Sequence, residues 1–195
     1  MSRYDDYDGL IFDLDGTLLD SMPGHYAAWQ QTAADFGFTV SEDWYHTRGG
    51  SPTILTARSL IEQLSLDIDA QVLADHKTQC FSSLLENHLT ILPFTEVARH
   101  FAGKKPMAVG TGTLTELASR MMEKAGILDL FDHVVGADQV GSHKPAPDTF
   151  LRCAELLGVE PKKCLVFEDA VFGFDAAKAA GMDVIDVRVT DVGLA

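Results

Sequence analysis

Asp13 and Asp15, in Asp13-Leu14-Asp15-Gly16-Thr17, follow directly on the apolar run Leu10-Ile11-Phe12. Such a run predicts a strand buried in a sheet, and the period-two spacing of the acids sets both carboxylates on one side where that strand stops. Gly16 lets the chain turn there. Two acids held together repel unless a cation neutralises them or one carries a proton, and both conditions belong to sites that do chemistry. Three more chemistry-bearing positions close apolar runs: Thr111 after Met107-Ala-Val-Gly110, Lys144 in His143-Lys-Pro-Ala-Pro-Asp148, and Glu168-Asp169 after Leu165-Val-Phe167. Open parallel sheets place their ligand crevice at these C-terminal strand ends. Each position has a plainer reading on its own: an acid that caps a helix, a lysine in a solvated turn, a threonine leading into the next helix. Together they put carboxylates, a hydroxyl and a cation on one edge.

Phosphoryl transfer uses all of these groups. Oxygen ligands from Asp13, Asp169 and Glu168 suit Mg²⁺, which favours carboxylates, water and substrate phosphate. Asp13 is then placed to attack phosphorus in line and form an aspartyl-phosphate. Asp15 protonates the departing alkoxide and later deprotonates the hydrolytic water. Lys144 and Thr111 hold the phosphoryl oxygens and stabilise charge in flight.

The elements that must position these groups follow from patterning. Strands are expected at Pro106–Gly110, Val134–Ala137, Cys164–Phe167 and Val184–Val187, alternating with helices at Leu114–Ala125, Thr149–Leu157 and Ala170–Ala180. With the first strand this makes an open α/β, Rossmann-like parallel sheet. A capping box at Thr113-Leu-Thr-Glu116 opens the first of those helices, and Gly181 closes the last. The segment from Ser21 to about His88 carries only helical patterns, at Pro23–Phe36, Pro52–Leu64 and Ala70–Leu85. Ser51 stands as N-cap ahead of Pro52, and Asp69 as cap of the third helix. The chain therefore reads as a core of residues 1–20 and 91–195 with an all-helical cap of residues 21–90 inserted behind the acidic strand end.

The 195 residues suffice for one well-buried domain with an insertion. A formal charge of -14, with no cluster of Lys and Arg, argues against nucleic acid and anionic membranes as partners. No apolar stretch approaches a membrane span, and the acidic N-terminal residues do not resemble a secretory signal. A cytoplasmic monomer is expected. Cys80, Cys153 and Cys164 are read as reduced core residues rather than a metal-thiolate site.

The order and spacing of these motifs, DxDGT, a Thr after a hydrophobic strand, KP, and an apolar run ending in ED, resemble the haloacid dehalogenase superfamily. The helical insertion resembles the cap of its β-phosphoglucomutase-like branch. Within that branch, Gly110-Thr-Gly-Thr113 and Lys144-Pro-Ala-Pro-Asp-Thr-Phe150 resemble bacterial fructose-1-phosphate phosphatases and similar sugar phosphatases. The resemblance implies a small phosphorylated sugar as substrate and Mg²⁺ held by Asp13, the backbone carbonyl of Asp15 and the acidic pair, chiefly Asp169. It also makes Asp15 the mark of phosphatases and mutases rather than dehalogenases. In the cap, His25 and Trp29 match a His and a Trp of the mutases, and Lys77 matches a cap lysine; packing of an amphipathic helix is the plainer reading of the first two.

One departure from that branch matters. The cap arginine that grips the second phosphate in mutases is replaced where Ser51-Pro52 stands, and Arg48 or Arg58 substitutes only by a different geometry. A mutase must retain a bisphosphate, so loss of a bidentate clamp favours hydrolysis over the alternative of a hexose-phosphate mutase. A receiver domain fits less well, because its phosphate acceptor comes later in the chain, after an acidic pair on the first strand. A sugar-phosphate binding module is disfavoured because every catalytic position is filled.

Overall fold

The computed structural model describes residues 3–48, 51–84 and 89–194. Its core is a five-stranded parallel sheet built from β1 (Gly9–Phe12), β4 (Met107–Gly110), β5 (His133–Val135), β6 (Cys164–Glu168) and β7 (Asp183–Asp186), in the order β5-β4-β1-β6-β7. β1 is central, with Leu10 opposite Met107 on one side and Leu165 on the other. All its residues are buried because helices cover both faces, which is why the run is apolar throughout rather than alternating.

The period-two alternation divides the core between the two faces. Leu10, Phe12, Val109, Leu165 and Phe167 pack beneath α5 (Thr95–Phe101) and α6 (Thr115–Lys124), through Val97, Phe101, Leu117 and Met121. Ile11, Ala108 and Val166 face α7 (Asp148–Leu157) and α8 (Val171–Ala179), through Phe150, Cys153, Ala154 and Ala176. Phe12 stacks on Phe167 with ring centroids 4.3 Å apart. Strand and helix limits differ by a residue or two from those expected.

Behind β1 the chain forms α1 (Met22–Phe36), α2 (Glu42–His46), α3 (Thr53–Leu64) and α4 (Ala70–Leu84), packed around Trp29, Tyr45, Leu60 and Leu73. The ends of this helical segment are clipped together by an antiparallel ladder of β2 (Leu19–Asp20) and β3 (Thr90–Ile91), pairing Leu19 with Ile91 and Asp20 with Thr90. A ladder that short has no periodic signature. The expected helix end at Leu85 and segment end at His88 lie outside the described residues.

Two expected caps are absent. Pro52 itself is the N-cap of α3, with no side-chain cap bond, and Ser51 instead donates its N–H to the Arg48 carbonyl. Thr113 does not cap α6 either. Asp138 from the neighbouring loop accepts the Thr115 N–H at 2.7 Å, so a tertiary partner takes over the local one. Asp69 does cap α4, accepting from the N–H groups of Gln71 and Val72 at 2.8 and 3.2 Å.

Candidate active site

Residues from four strand ends meet above the C-terminal edge of the sheet, in two adjoining clusters. The first centres on Lys144. Its ammonium donates to Asp13 Oδ1 and to Glu168 Oε1, both at 2.7 Å, and lies 4.6 Å from the Phe150 ring centroid. Glu168 Oε2 accepts the N–H groups of Asp169 and Ala170 at 2.8 Å each, so both of its oxygens are engaged. It sits so close to Gly173 that a Cβ there would come within 1.8 Å of Oε1. Gly16, at φ +93°, likewise approaches Asp169 where a Cβ would meet Oδ2 at 2.3 Å, so the turn requires glycine on two counts.

Charge in this cluster is unbalanced. Burial opposes the Lys144 ammonium, yet Asp13 and Glu168 outweigh it and raise its pKa. Burial also pushes the Asp13 carboxyl well above the usual range, and repulsion from Glu168, Asp169 and Asp15 adds to it against the pull of Lys144. Asp169 is pushed up to about 7 by burial, with Glu168 next, while Lys144 pulls the other way. Ligand oxygens of Asp13, Glu168 and Asp169 lie within 4.8 Å of one another. One lysine among three acids leaves a surplus of hard oxygen donors, and that donor set fits a divalent cation such as Mg²⁺.

The second cluster centres on Asp15. Its Oδ2 accepts from the hydroxyls of Thr113 at 2.8 Å and Thr111 at 3.2 Å, and its Oδ1 from Ser21 Oγ and from His25 Nε2 at 3.1 Å. Lys77 Nζ lies 2.6 Å from His25 Nδ1, and the imidazole stacks on Phe81. These partners are satisfied when Lys77 donates to Nδ1 and Nε2–H donates to Asp15. Burial works to raise the Asp15 carboxyl, but His25, Ser21 and Thr113 override it and hold it well below the usual range. His25 is lowered, chiefly by burial and then by the neighbouring ammonium. Lys77 is brought down to about 7 by burial, against the pull of Asp15 and Cys80.

Lys77→Met is expected to stabilise the protein. The native amine releases its proton near 7 while the unfolded chain keeps it to about 10.5, so native protein binds fewer protons in that window and wild-type stability rises with pH across it. The buried charge therefore costs most below pH 7. Its removal outweighs the hydrogen bond to His25, worth about 1 kcal/mol. Thermal denaturation should show Tm of the variant several degrees above wild type at pH 6, with the gap shrinking toward pH 10. A lower Tm at pH 6 contradicts this.

Asp13, Asp15, His25, Trp29, Arg48 and Lys77 all line one narrow cavity, together with Tyr45, Ser51, Thr53, Thr56 and Thr113. Trp29 belongs to this wall and to the helical core at once, so packing and lining are both served. Arg48 places its guanidinium over the Trp44 ring at 5.1 Å, and its buried Nε has no hydrogen-bond partner among the described residues. Thr111, Lys144 and Glu168 stand behind this wall, buried against the acids. Thr111 also accepts the Thr113 N–H at 3.0 Å, which aims both hydroxyls at Asp15. Ser21 and Thr113 were not anticipated as partners of Asp15. The spacing of Thr113, two after Thr111, was the available signal, and its resemblance to a capping box concealed it.

The match to known proteins agrees with this arrangement. Residues 7–181 match the profile of the haloacid dehalogenase-like hydrolases. The chain is 45% identical over 186 residues to fructose-1-phosphate phosphatase YqaB of Escherichia coli, spanning 95% of this chain and 99% of that one. It is 31% identical over 186 residues to a phosphorylated carbohydrates phosphatase of Thermotoga maritima, covering 91% and 83% of the two chains. Among solved structures, β-phosphoglucomutase from Clostridium difficile superimposes with a TM-score of 0.81 at 26% identity, over 91% of this chain and 83% of that one. With its parallel sheet, its helical insertion and its acids at the central strand end, the chain belongs to the haloacid dehalogenase-like hydrolase family.

Proposed function

We propose that the protein is a Mg²⁺-dependent phosphatase that hydrolyses small sugar phosphates, fructose 1-phosphate among them, through a phosphorylated Asp13. The observation that carries this reading is the division of the two acids. Asp13 faces the cavity with Lys144 at 2.7 Å, while Asp15, two residues on, is held by a separate set of donors. One acid is thus arranged as nucleophile and the other as proton carrier.

Asp13 and Asp169, supported by Glu168 and the Asp15 carbonyl, would hold Mg²⁺. When bound, the cation offsets charge on the nucleophile and on the phosphoryl group. Lys144 fixes the Asp13 carboxylate for in-line attack and its ammonium stabilises phosphoryl oxygens, while the Thr111 hydroxyl, which donates to Asp15, orients the proton carrier. Asp15, ionised while its donors hold it, must first take up a proton by way of His25 before it protonates the sugar oxygen as it leaves; as the carboxylate it takes a proton from the water that attacks the Asp13 phosphate. Lys77, brought to about 7, connects to Asp15 through His25, so the proton carrier is linked to a group that exchanges protons near neutrality. Residues 21–90 act as the cap that closes over the substrate, with His25, Trp29 and Arg48 meeting its sugar part.

Hydrolysis is favoured over isomerisation by the start of α3. By the resemblance to β-phosphoglucomutase-like enzymes, Ser51-Pro52 stands in the part of the loop where mutases carry their phosphate-gripping arginine, and neither residue has a charge with which to retain a second phosphate. Sugar phosphates incubated with the enzyme and Mg²⁺ should release inorganic phosphate, with the activity lost in chelator and restored by the metal. Accumulation of hexose 6-phosphate from a hexose 1-phosphate would instead identify a mutase. The three cysteines are all free thiols, in keeping with a cytoplasmic enzyme.

A further inference from the structure

Cys80 is a free thiol packed against the edge of the core rather than enclosed by it. It lies half-buried on α4, one turn after His76, and its Sγ is 3.6 Å from His76 Nδ1. The opposite ring nitrogen, Nε2, is 3.3 Å from Asp35 Oδ2 on α1. With a carboxylate at Nε2, that nitrogen carries the ring proton and Nδ1 is left with one lone pair, which takes the thiol proton when the Thr32 hydroxyl, 3.3 Å away, turns aside. The order thiol, imidazole, carboxylate is the arrangement that activates a cysteine nucleophile: a base within reach of sulfur, oriented by a third group. His76 and Asp35 are partly open to solvent, with side chains 32% and 42% exposed, so small reagents reach the cluster. The other two thiols are placed differently. Burial pushes Cys153 up to about 12 and Cys164 up to about 11, and Cys153 donates to the Val109 carbonyl inside the sheet.

We propose that Cys80 is a reactive thiol, activated by His76 and Asp35, which hydrogen peroxide oxidises reversibly, and that its modification slows catalysis. As sulfur attacks one peroxide oxygen, an S–O bond forms and the O–O bond breaks. The thiol proton passes through Nδ1 to the departing hydroxide, which leaves as water. Sulfur is oxidised by two electrons and the peroxide reduced, leaving Cys80 as a sulfenic acid. A small thiol such as glutathione then condenses with it, releasing water and leaving a mixed disulfide that excess dithiol reverses.

The seam between α1 and α4 makes this consequential. α1 carries His25 and α4 carries Lys77, and Lys77, one turn before Cys80, feels a charge on its sulfur. An adduct on Cys80 enters the contact of His76 with Asp35, Thr32 and Phe36, the same helix pair that brings Lys77 to His25. Its effect on rate rests on the phosphatase reading; the reactivity of the thiol does not.

The test uses the folded enzyme, with iodoacetamide labelling followed by peptide mass spectrometry. Cys80 should label at least about tenfold faster than Cys153 or Cys164. His76→Gln and Asp35→Asn, each checked for fold by circular dichroism, should slow Cys80 labelling at least about fivefold, which exposure alone does not explain. Hydrogen peroxide with glutathione should lower wild-type phosphate release at least about threefold and dithiothreitol restore it, while Cys80→Ser keeps its activity throughout. Equal labelling of Cys80 in wild type and both variants overturns the proposal, as does full activity in enzyme whose Cys80 is wholly glutathionylated. So does a sulfur-to-cobalt charge-transfer band that forms in wild type with Co²⁺ and is absent from Cys80→Ser, which makes the cluster a metal site. A labelling contrast in an enzyme that hydrolyses no phosphate ester leaves the thiol's activation intact and overturns the phosphatase reading.

Discussion

Asp13→Asn is expected to cut turnover by at least about 10⁴-fold without lowering Tm. The amide keeps the shape of the side chain, and its oxygen still accepts from Lys144 where Asp13 Oδ1 now does at 2.7 Å. What it lacks is nucleophilicity, so no phosphorylated enzyme should form with a reactive phosphoryl donor. Stability should hold or rise, because Asp13 is a buried acid whose ionisation is opposed by burial and by Glu168, Asp169 and Asp15. Steady-state phosphate release and thermal denaturation of the same preparation check both halves. Activity within tenfold of wild type would remove Asp13 from the role of nucleophile.

Lys144→Met is expected to damage both fold and rate. Lys144 is 2% exposed and is the ammonium shared by Asp13 and Glu168. Methionine fills a similar volume, including the contact with Phe150, but leaves the carboxylates of Asp13, Glu168 and Asp169 facing one another. Breaking a buried ion pair from one side costs about 3–5 kcal/mol, and that is the loss expected at neutral pH by chemical denaturation. Millimolar Mg²⁺ should recover part of it, since a divalent cation satisfies the same oxygens. Turnover should stay low even with the metal, because no ammonium then faces the phosphoryl group. A variant as stable as wild type in chelator would show that the acids do not need the lysine.

The strand ends were legible in the chain because a sheet covered on both faces writes each strand as an uninterrupted apolar run, and the residue that follows the run is the residue at the crevice. Asp13, Thr111 and Glu168 could be placed on that logic alone. The partners of Asp15 could not. Ser21 and His25 come from the start of α1, and Thr113 from a loop, and nothing local says where those hydroxyls point. The cap failed at Thr113 for a related reason: a cap motif states what a side chain can do next to a helix, and tertiary neighbours took over, Asp15 accepting the Thr113 hydroxyl and Asp138 the Thr115 N–H. Cys80 packs at the edge of the core, as its residue type suggested; His76 lies beside it by the four-residue spacing of α4, and only the meeting with α1 adds Asp35.

The short ladder of β2 with β3 bears on the order in which the chain folds. β1 is made early, yet both strands that flank it come from far downstream, so the central strand pays a large loop-closure entropy before it gains either neighbour. Pairing Asp20 with Thr90 turns the intervening stretch into a closed loop with its own apolar nucleus of Trp29, Leu60 and Leu73. Once that loop has collapsed, β1 and β4 are separated by a short effective tether. Each halving of the span lowers the closure cost by about 0.6 kcal/mol. The insertion that lines the cavity also shortens the path by which the sheet beneath it assembles.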